Sequence, residues 1–290
     1  MNASTHRQDS SHLIATLARM AQLEPGLKDI VQEFIQSWPY VDERAPANIS
    51  MVGMQYSGIP QLTDALLAAD RKRPDHDMSH QEQSHEGQGY TLVRMPSLRD
   101  ISWSEGIAWR GLRSTDLVLY VHNAKHEVLH DEGRRFLRRL VSWAPKTTWR
   151  SKMAIPVLTH CDDLSADEMN TLSAHINTQW LEIMGVEPMA IFGVCTRHYM
   201  AAHEAQDDDG MEASMIPRLR SFLNLISHVD QLATLRQAKE HMMVQQIAQL
   251  AARRAHQTRE DLDARVEILQ SEATRMRASF DALQETVWDI

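Results

Sequence analysis

The chain has 290 residues, 43% of them apolar and 24% charged, which is the composition of a folded globular protein and excludes disorder of the whole chain. Thirty basic residues against thirty-nine acidic ones leave a net charge of -9, so no global positive field exists to hold nucleic acid or an anionic bilayer. No apolar run approaches the roughly 18 residues that span a membrane, and Met1 to Asp9 lacks the basic and apolar regions of a secretory signal, so a cytoplasmic protein without an integral membrane segment is expected.

Before Pro39 two helices are predicted, with apolar stripes at Leu13, Ile14, Leu17, Met20 and at Leu27, Ile30, Val31, Phe34, Trp38, separated by Pro25-Gly26. From Ile49 short apolar runs alternate with helical stretches: Ile49 to Gly53, Tyr90 to Met95, Leu117 to Val121, Met153 to Leu158 and Met189 to Val194. That alternation predicts an α/β domain whose mostly parallel sheet is covered on both faces. Arg71 to Gly89 has Met78 as its one aliphatic residue and reads as a solvated loop, and Glu204 to Gly210 reads as an acidic loop closing the α/β unit. Beyond Pro217 there is no further proline. Phe222, Ile226, Val229, Leu232 and Leu235 make a helical face, and Leu262, Val266, Leu269, Ala273, Met276, Phe280, Leu283 and Val287 follow in steps of four and three. Those steps are a coiled-coil or bundle seam, packed either on the N-terminal helices or on a second chain as a homodimer. The expected domains are residues 1–45, 46–212 and 213–290, the outer two forming a helical bundle or stalk.

At the end of the first predicted strand stands Gly53-Met54-Gln55-Tyr56-Ser57-Gly58-Ile59-Pro60, followed by an amphipathic helix. A phosphate-binding loop needs glycines at both ends so that backbone amides surround the phosphates, then lysine for charge and Ser/Thr for magnesium. Both glycines are present; Ile59 stands at the lysine position and Pro60 at the hydroxyl position. Proline suits a first helical turn, where its missing amide has no intrahelical partner to lose.

The arrangement resembles the GTPases of the translation-factor and dynamin-like class across roughly Ile49 to Thr196. The family's Asp-Thr-Pro-Gly strand end is matched by Arg94-Met95-Pro96-Ser97, with the magnesium-linked aspartate replaced by Arg94 and the glycine by Ser97. Its guanine-reading motif, Asn/Thr-Lys-x-Asp, is matched by Thr159-His160-Cys161-Asp162, with His160 replacing the lysine. Cys195-Thr196 falls where the family places Ser-Ala. The resemblance implies a degenerate G domain, because phosphoryl transfer on this scaffold depends on the lysine and magnesium that neutralise phosphate charge. A non-catalytic interaction protein is expected, with no bound cofactor, partnering an active dynamin-like GTPase. The alternative is a guanine-nucleotide-binding switch with little hydrolysis, in which Arg94 supplies the lost cation and Thr159 and Asp162 bind the base. Without a ligand, Thr159 and Asp162 serve as helix caps.

A competing motif is His126-Glu127-Val128-Leu129-His130, which matches the zinc-hydrolase pattern of two histidines one helical turn apart with a general-base glutamate. It requires residues 126–130 to lie in one helix. Phe136 stands where a third histidine would be, and Asp131-Glu132 reads as a helix start, so the favoured interpretation is a solvated loop after the strand Leu117 to Val121. His122, at the strand exit, is the further candidate for a metal held with His126 and His130. His76, His80 and His85 read as surface histidines. Ser57 lacks the Gly-x-Ser-x-Gly context of a hydrolase nucleophile. Arg134, Arg135, Arg138 and Arg139 form a solvated basic face suited to an acidic partner. Cys161 and Cys195, too few for a four-thiolate zinc site, are expected close together at one sheet edge and reduced.

Overall fold

The computed structural model describes residues 46–68, 83–86, 89–99, 115–143 and 147–288, with isolated helical positions between 15 and 28. The two N-terminal helices, most of the Arg71 to Gly89 segment, and His76 and His80 lie outside the described residues, whereas His85 falls in a described strand opposite Leu92. The chain divides into two compact units, Ser37–Met242 and Met1–Gln36 with Met243–Ile290.

The first unit is a six-stranded sheet. Its strands are β1 (Ala47–Gly53), β2 (Gln83–Glu86), β3 (Tyr90–Arg94), β4 (Leu117–Asn123), β5 (Ala154–Thr159) and β6 (Phe192–Gly193), ordered β2-β3-β1-β4-β5-β6. All neighbours are parallel except β2, which runs antiparallel to β3 with Gln83 opposite Arg94. The β2 strand corrects the expectation that Arg71 to Gly89 is loop throughout.

The helices of this unit are α1 (Ile59–Leu67), α2 (Asp131–Trp143), α3 (Thr147–Met153), α4 (Ala166–Met184), α5 (Thr196–Ala205), α6 (Asp208–Ala213), α7 (Ile216–Ile226) and the start of α8 (Val229–Trp288). Helix α6 replaces the acidic loop expected at Glu204 to Gly210: the Asp207 carboxylate accepts the Gly210 amide at 3.1 Å and so caps a helix start. Helix α4 begins with a reciprocal Ser165–Glu168 capping box and ends on Gly185.

Strand alternation distributes the core over both faces. Ile49, Met51, Leu117, Leu119, Ile155 and Val157 pack with Leu62 and Leu66 of α1, Tyr199 of α5, Leu219 and Leu223 of α7, and Leu232 and Leu235 of α8. Val52, Val118, Tyr120 and Leu158 face the other way, onto Phe136, Leu137 and Leu140 of α2 and Ile176 and Trp180 of α4. Central strands buried on both faces are what parallel α/β sheets require. Pro156 is tolerated within β5 because β6 pairs only with Val157 and Leu158, leaving Pro156 with β4 alone as neighbour. Because α7 and the first turns of α8 pack into this core, they belong to the compact unit Ser37–Met242.

Two side chains fasten that last segment. Arg236 of α8 makes a bidentate pair with Asp116 at 3.1 and 2.9 Å and also donates to the Pro46 carbonyl at 3.0 Å. Arg220 of α7 donates to the Ala65 and Leu66 carbonyls at the end of α1, at 2.9 and 3.2 Å, where a cation also complements the helix dipole.

Tyr120 is fully buried, and its hydroxyl has no hydrogen-bond partner. It stands over Gly133, where any Cβ would overlap it. Tyr120→Phe removes an unsatisfied buried hydroxyl and is expected to leave stability unchanged or raise it by up to about 1–2 kcal/mol in urea unfolding.

Candidate functional site

The carboxyl ends of β1, β4 and β5 lie side by side, with Gly53 opposite Val121 and Asn123 opposite Thr159. The chain leaves β1 for one side of the sheet and β4 for the other, and in open α/β sheets ligands bind at such a divergence of strand order. Residues 54–58 cross this edge between β1 and α1. The Ser57 amide donates to the Met54 carbonyl at 3.1 Å, and Tyr56 projects into solvent with φ 65°.

Both glycines have a steric reason. A Cβ on Gly53 would lie 2.5 Å from the Val121 carbonyl oxygen and from Ser57 Oγ. Gly58 has φ 81°, and a Cβ there would meet Thr159 Oγ1 and His160 Nε2 at 3.2 Å. The loop is held from both neighbouring strand ends. Thr159 donates its hydroxyl to the Ser57 carbonyl at 2.6 Å, and Asn123 Nδ2 donates to the Tyr56 carbonyl at 3.3 Å.

The residues at the expected lysine and hydroxyl positions lie in the core and in a helix turn. Ile59 is buried and belongs to the core beneath the sheet, with Leu62 and Leu66. Pro60 occupies the first turn of α1. Arg94 ends β3, and the following segment is stitched to β1 by Met95 N–H to the Met51 carbonyl at 3.1 Å and Leu98 N–H to the Gly53 carbonyl at 3.0 Å. Pro96 and Ser97 lie in that segment, where Ser97 Oγ accepts the Arg99 amide at 3.3 Å. Asp162 accepts the His198 amide at 3.0 Å and faces Arg197 at 4.0 Å, so it fastens the start of α5. Asn123, Arg197 and His198 were not singled out in the sequence, since none belongs to a recognisable motif.

The helix that the zinc-hydrolase alternative requires over residues 126–130 is not formed. His126, Glu127 and His130 lie in an irregular loop, and the helix starts only at Asp131. His122, buried in β4, donates Nε2–H to the His126 carbonyl at 2.7 Å, and the loop is further held by Gln179, whose Oε1 accepts the Leu129 amide at 3.0 Å. Among the described residues no cluster of His, Cys, Asp or Glu is arranged to hold a metal.

Burial holds the His122 imidazole below its ordinary value of 6.5, against the raising effect of its bond to the His126 carbonyl; His130 and His126 lower it further. A folded-state value below the unfolded one means the unfolded chain takes up the proton first. The neutral ring's contribution is therefore full above 6.5 and falls as pH drops below it. The ring centroids of His122, His126 and His130 lie 4.8 to 6.5 Å apart, so further protonation adds repulsion. His122→Asn is expected to flatten stability against pH below 6.5 in urea unfolding, removing a slope of at most about 1.4 kcal/mol per pH unit.

Cys161 and Cys195 share one apolar cluster as free thiols, and burial together with the Cys195 charge pushes the Cys161 thiol up to about 12.

No protein-family model matches the sequence, and no curated protein does. A solved structure of an oligomerised bacterial dynamin pair, described as a mechanism for long-range sensing and tethering of membranes, aligns with 97% of this chain and 60% of its own at 12% identity and TM-score 0.50. A second structure under the same description aligns with 96% of this chain and 52% of its own at 13% identity and TM-score 0.50. The fold is a GTPase-like α/β domain. LeoA, a bacterial dynamin GTPase from ETEC, aligns with 87% of this chain and 48% of its own at 13% identity and TM-score 0.49. The chain thus spans less than two thirds of each of these proteins. The loop 53–60 lies at the carboxyl end of β1 and runs into α1. Among the described residues no helix is long and apolar enough to cross a membrane.

Proposed function

We propose that this chain is a GTPase-like binding module that performs no phosphoryl transfer and acts as the non-catalytic member of a pair with an active dynamin-like GTPase. The observation that carries the reading is Ile59: the side chain at the lysine position is part of the hydrophobic core. With Pro60 offering no hydroxyl and Arg94 reversing the charge of the metal-linked aspartate, the loop keeps its backbone and lacks the groups that neutralise a transferring phosphoryl. The base-reading positions support the same reading. Thr159 and Asp162 make internal hydrogen bonds, and His160 lies against Gly58. The pairing itself rests on the likeness to an oligomerised bacterial dynamin pair.

Calorimetric titration with GTP, GDP and ATP, with and without magnesium, tests the site, alongside a phosphate-release assay. The expected result is no magnesium-dependent hydrolysis above the buffer rate and no binding at millimolar nucleotide. Magnesium-dependent turnover abolished by Asp162→Asn would overturn the proposal. Binding without turnover would move the chain to a guanine-nucleotide switch built on the loop amides and Arg94.

A further inference from the structure

We infer that the seam of α8 from Leu262 onward forms a parallel two-stranded coiled coil with a second copy of this chain. Leu262, Val266, Leu269 and Met276 are 55%, 49%, 64% and 69% exposed. With Ala273 they repeat at alternating steps of four and three, a period of 3.5 residues. A helix laid on a globular core carries a broader stripe at 3.6, whereas a strict 3.5 repeat keeps one narrow seam facing another helix. Ile268, also exposed, lies off that seam.

The charges beside the seam select both the partner and its direction. In a parallel, in-register pair of identical chains, Glu272 falls opposite Arg277 of the other chain, and symmetry makes that contact twice. Arg265 falls opposite Gln270 and Asp263 opposite Thr258, so no like charges meet at the positions flanking the seam from Leu262 onward. An antiparallel register that pairs Arg265 with Glu272 would place Arg259 against Met276 in the apolar seam and truncate it there. In the parallel register Arg259 faces its own copy one layer before Leu262, at the N-terminal end of the seam and outside it, so the apolar layers from Leu262 stay unbroken and in sequence the repeat continues through Val287.

The test is sedimentation equilibrium of the full chain over a concentration series. The wild type is expected to reach a dimer. Leu269→Glu, at an exposed position that leaves the fold intact, is expected to be monomeric with an unchanged thermal transition. Glu272→Arg is expected to weaken dimerisation about tenfold, and adding Arg277→Glu to it should restore the wild-type constant. A monomeric wild type would overturn the inference, as would a dimer indifferent to Leu269→Glu. Dimerisation weakened by Glu272→Arg but not rescued by Arg277→Glu would overturn the parallel register. None of these outcomes depends on nucleotide, so the inference stands or falls separately from the reading of the loop.

Discussion

Arg236→Met is expected to destabilise the α/β unit by about 3–5 kcal/mol, the largest single effect at any polar position described. Both partners of the Arg236–Asp116 pair are nearly sealed from water, at 8% and 6% exposure. The attraction between them offsets the desolvation of two charges only while both are present, and removing the guanidinium leaves the Asp116 carboxylate buried and uncompensated. The carboxylate also accepts the Asn48 amide at 2.9 Å, at the entry to β1, so the penalty extends to the first strand. Combining Arg236→Met with Asp116→Asn removes the stranded charge and keeps an oxygen for Asn48; it is expected to recover part of the loss. Urea unfolding of the wild type, Arg236→Met, Asp116→Asn and the double variant separates the cost of an orphaned charge from the net worth of the pair. If Arg236→Met alone is neutral, the pair is not sealed as the structure has it.

Gly53→Ala is the second large effect, expected to destabilise by about 1–3 kcal/mol through overpacking. The added methyl would meet two neighbours of different kinds, the Ser57 hydroxyl and the Val121 backbone carbonyl, both at 2.5 Å. The hydroxyl can turn aside; the carbonyl is fixed in the β1–β4 ladder. Ser57→Ala by itself is expected to be neutral or slightly stabilising, because Ser57 Oγ is buried without a hydrogen-bond partner. Adding Ser57→Ala to Gly53→Ala should therefore relieve only part of the strain, which thermal unfolding of the three variants measures. The outcome bears on the motif itself. A glycine required by packing at the strand end keeps its place in the sequence whether or not a phosphate ever enters the loop.

Much of the domain was legible in the sequence because strands buried on both faces are short apolar runs. Five such runs located β1, β3, β4, β5 and β6 in order, although β6 shrinks to Phe192–Gly193. The second strand was hidden for a physical reason. Gln83–Glu86 is polar throughout and exists through its antiparallel pairing with β3, which no local pattern announces. The packing of α7 and the start of α8 was hidden for a related one: the helical face Phe222, Ile226, Leu232, Leu235 is visible in sequence, but periodicity does not say what that face covers. The loop glycines were found by spacing, whereas the tether from Asn123 and the role of Asp162 at the start of α5 depend on contacts distant in the chain. The Arg236–Asp116 pair joins residues separated by 120 positions. The His126 to His130 spacing shows the converse hazard, since i and i+4 share a face only if a helix forms.

On the proposed non-catalytic reading, the burial of Ile59 also bears on any attempt to make this loop turn over nucleotide. Here the helix start doubles as a wedge between the loop and the sheet, and Ile59→Lys would draw a charged stem out of the layer that seats Leu62 and Leu66, or else strand its ammonium there. An engineered gain of turnover would therefore have to rebuild the apolar seat under α1 and supply the cation together; exchanging one side chain does neither.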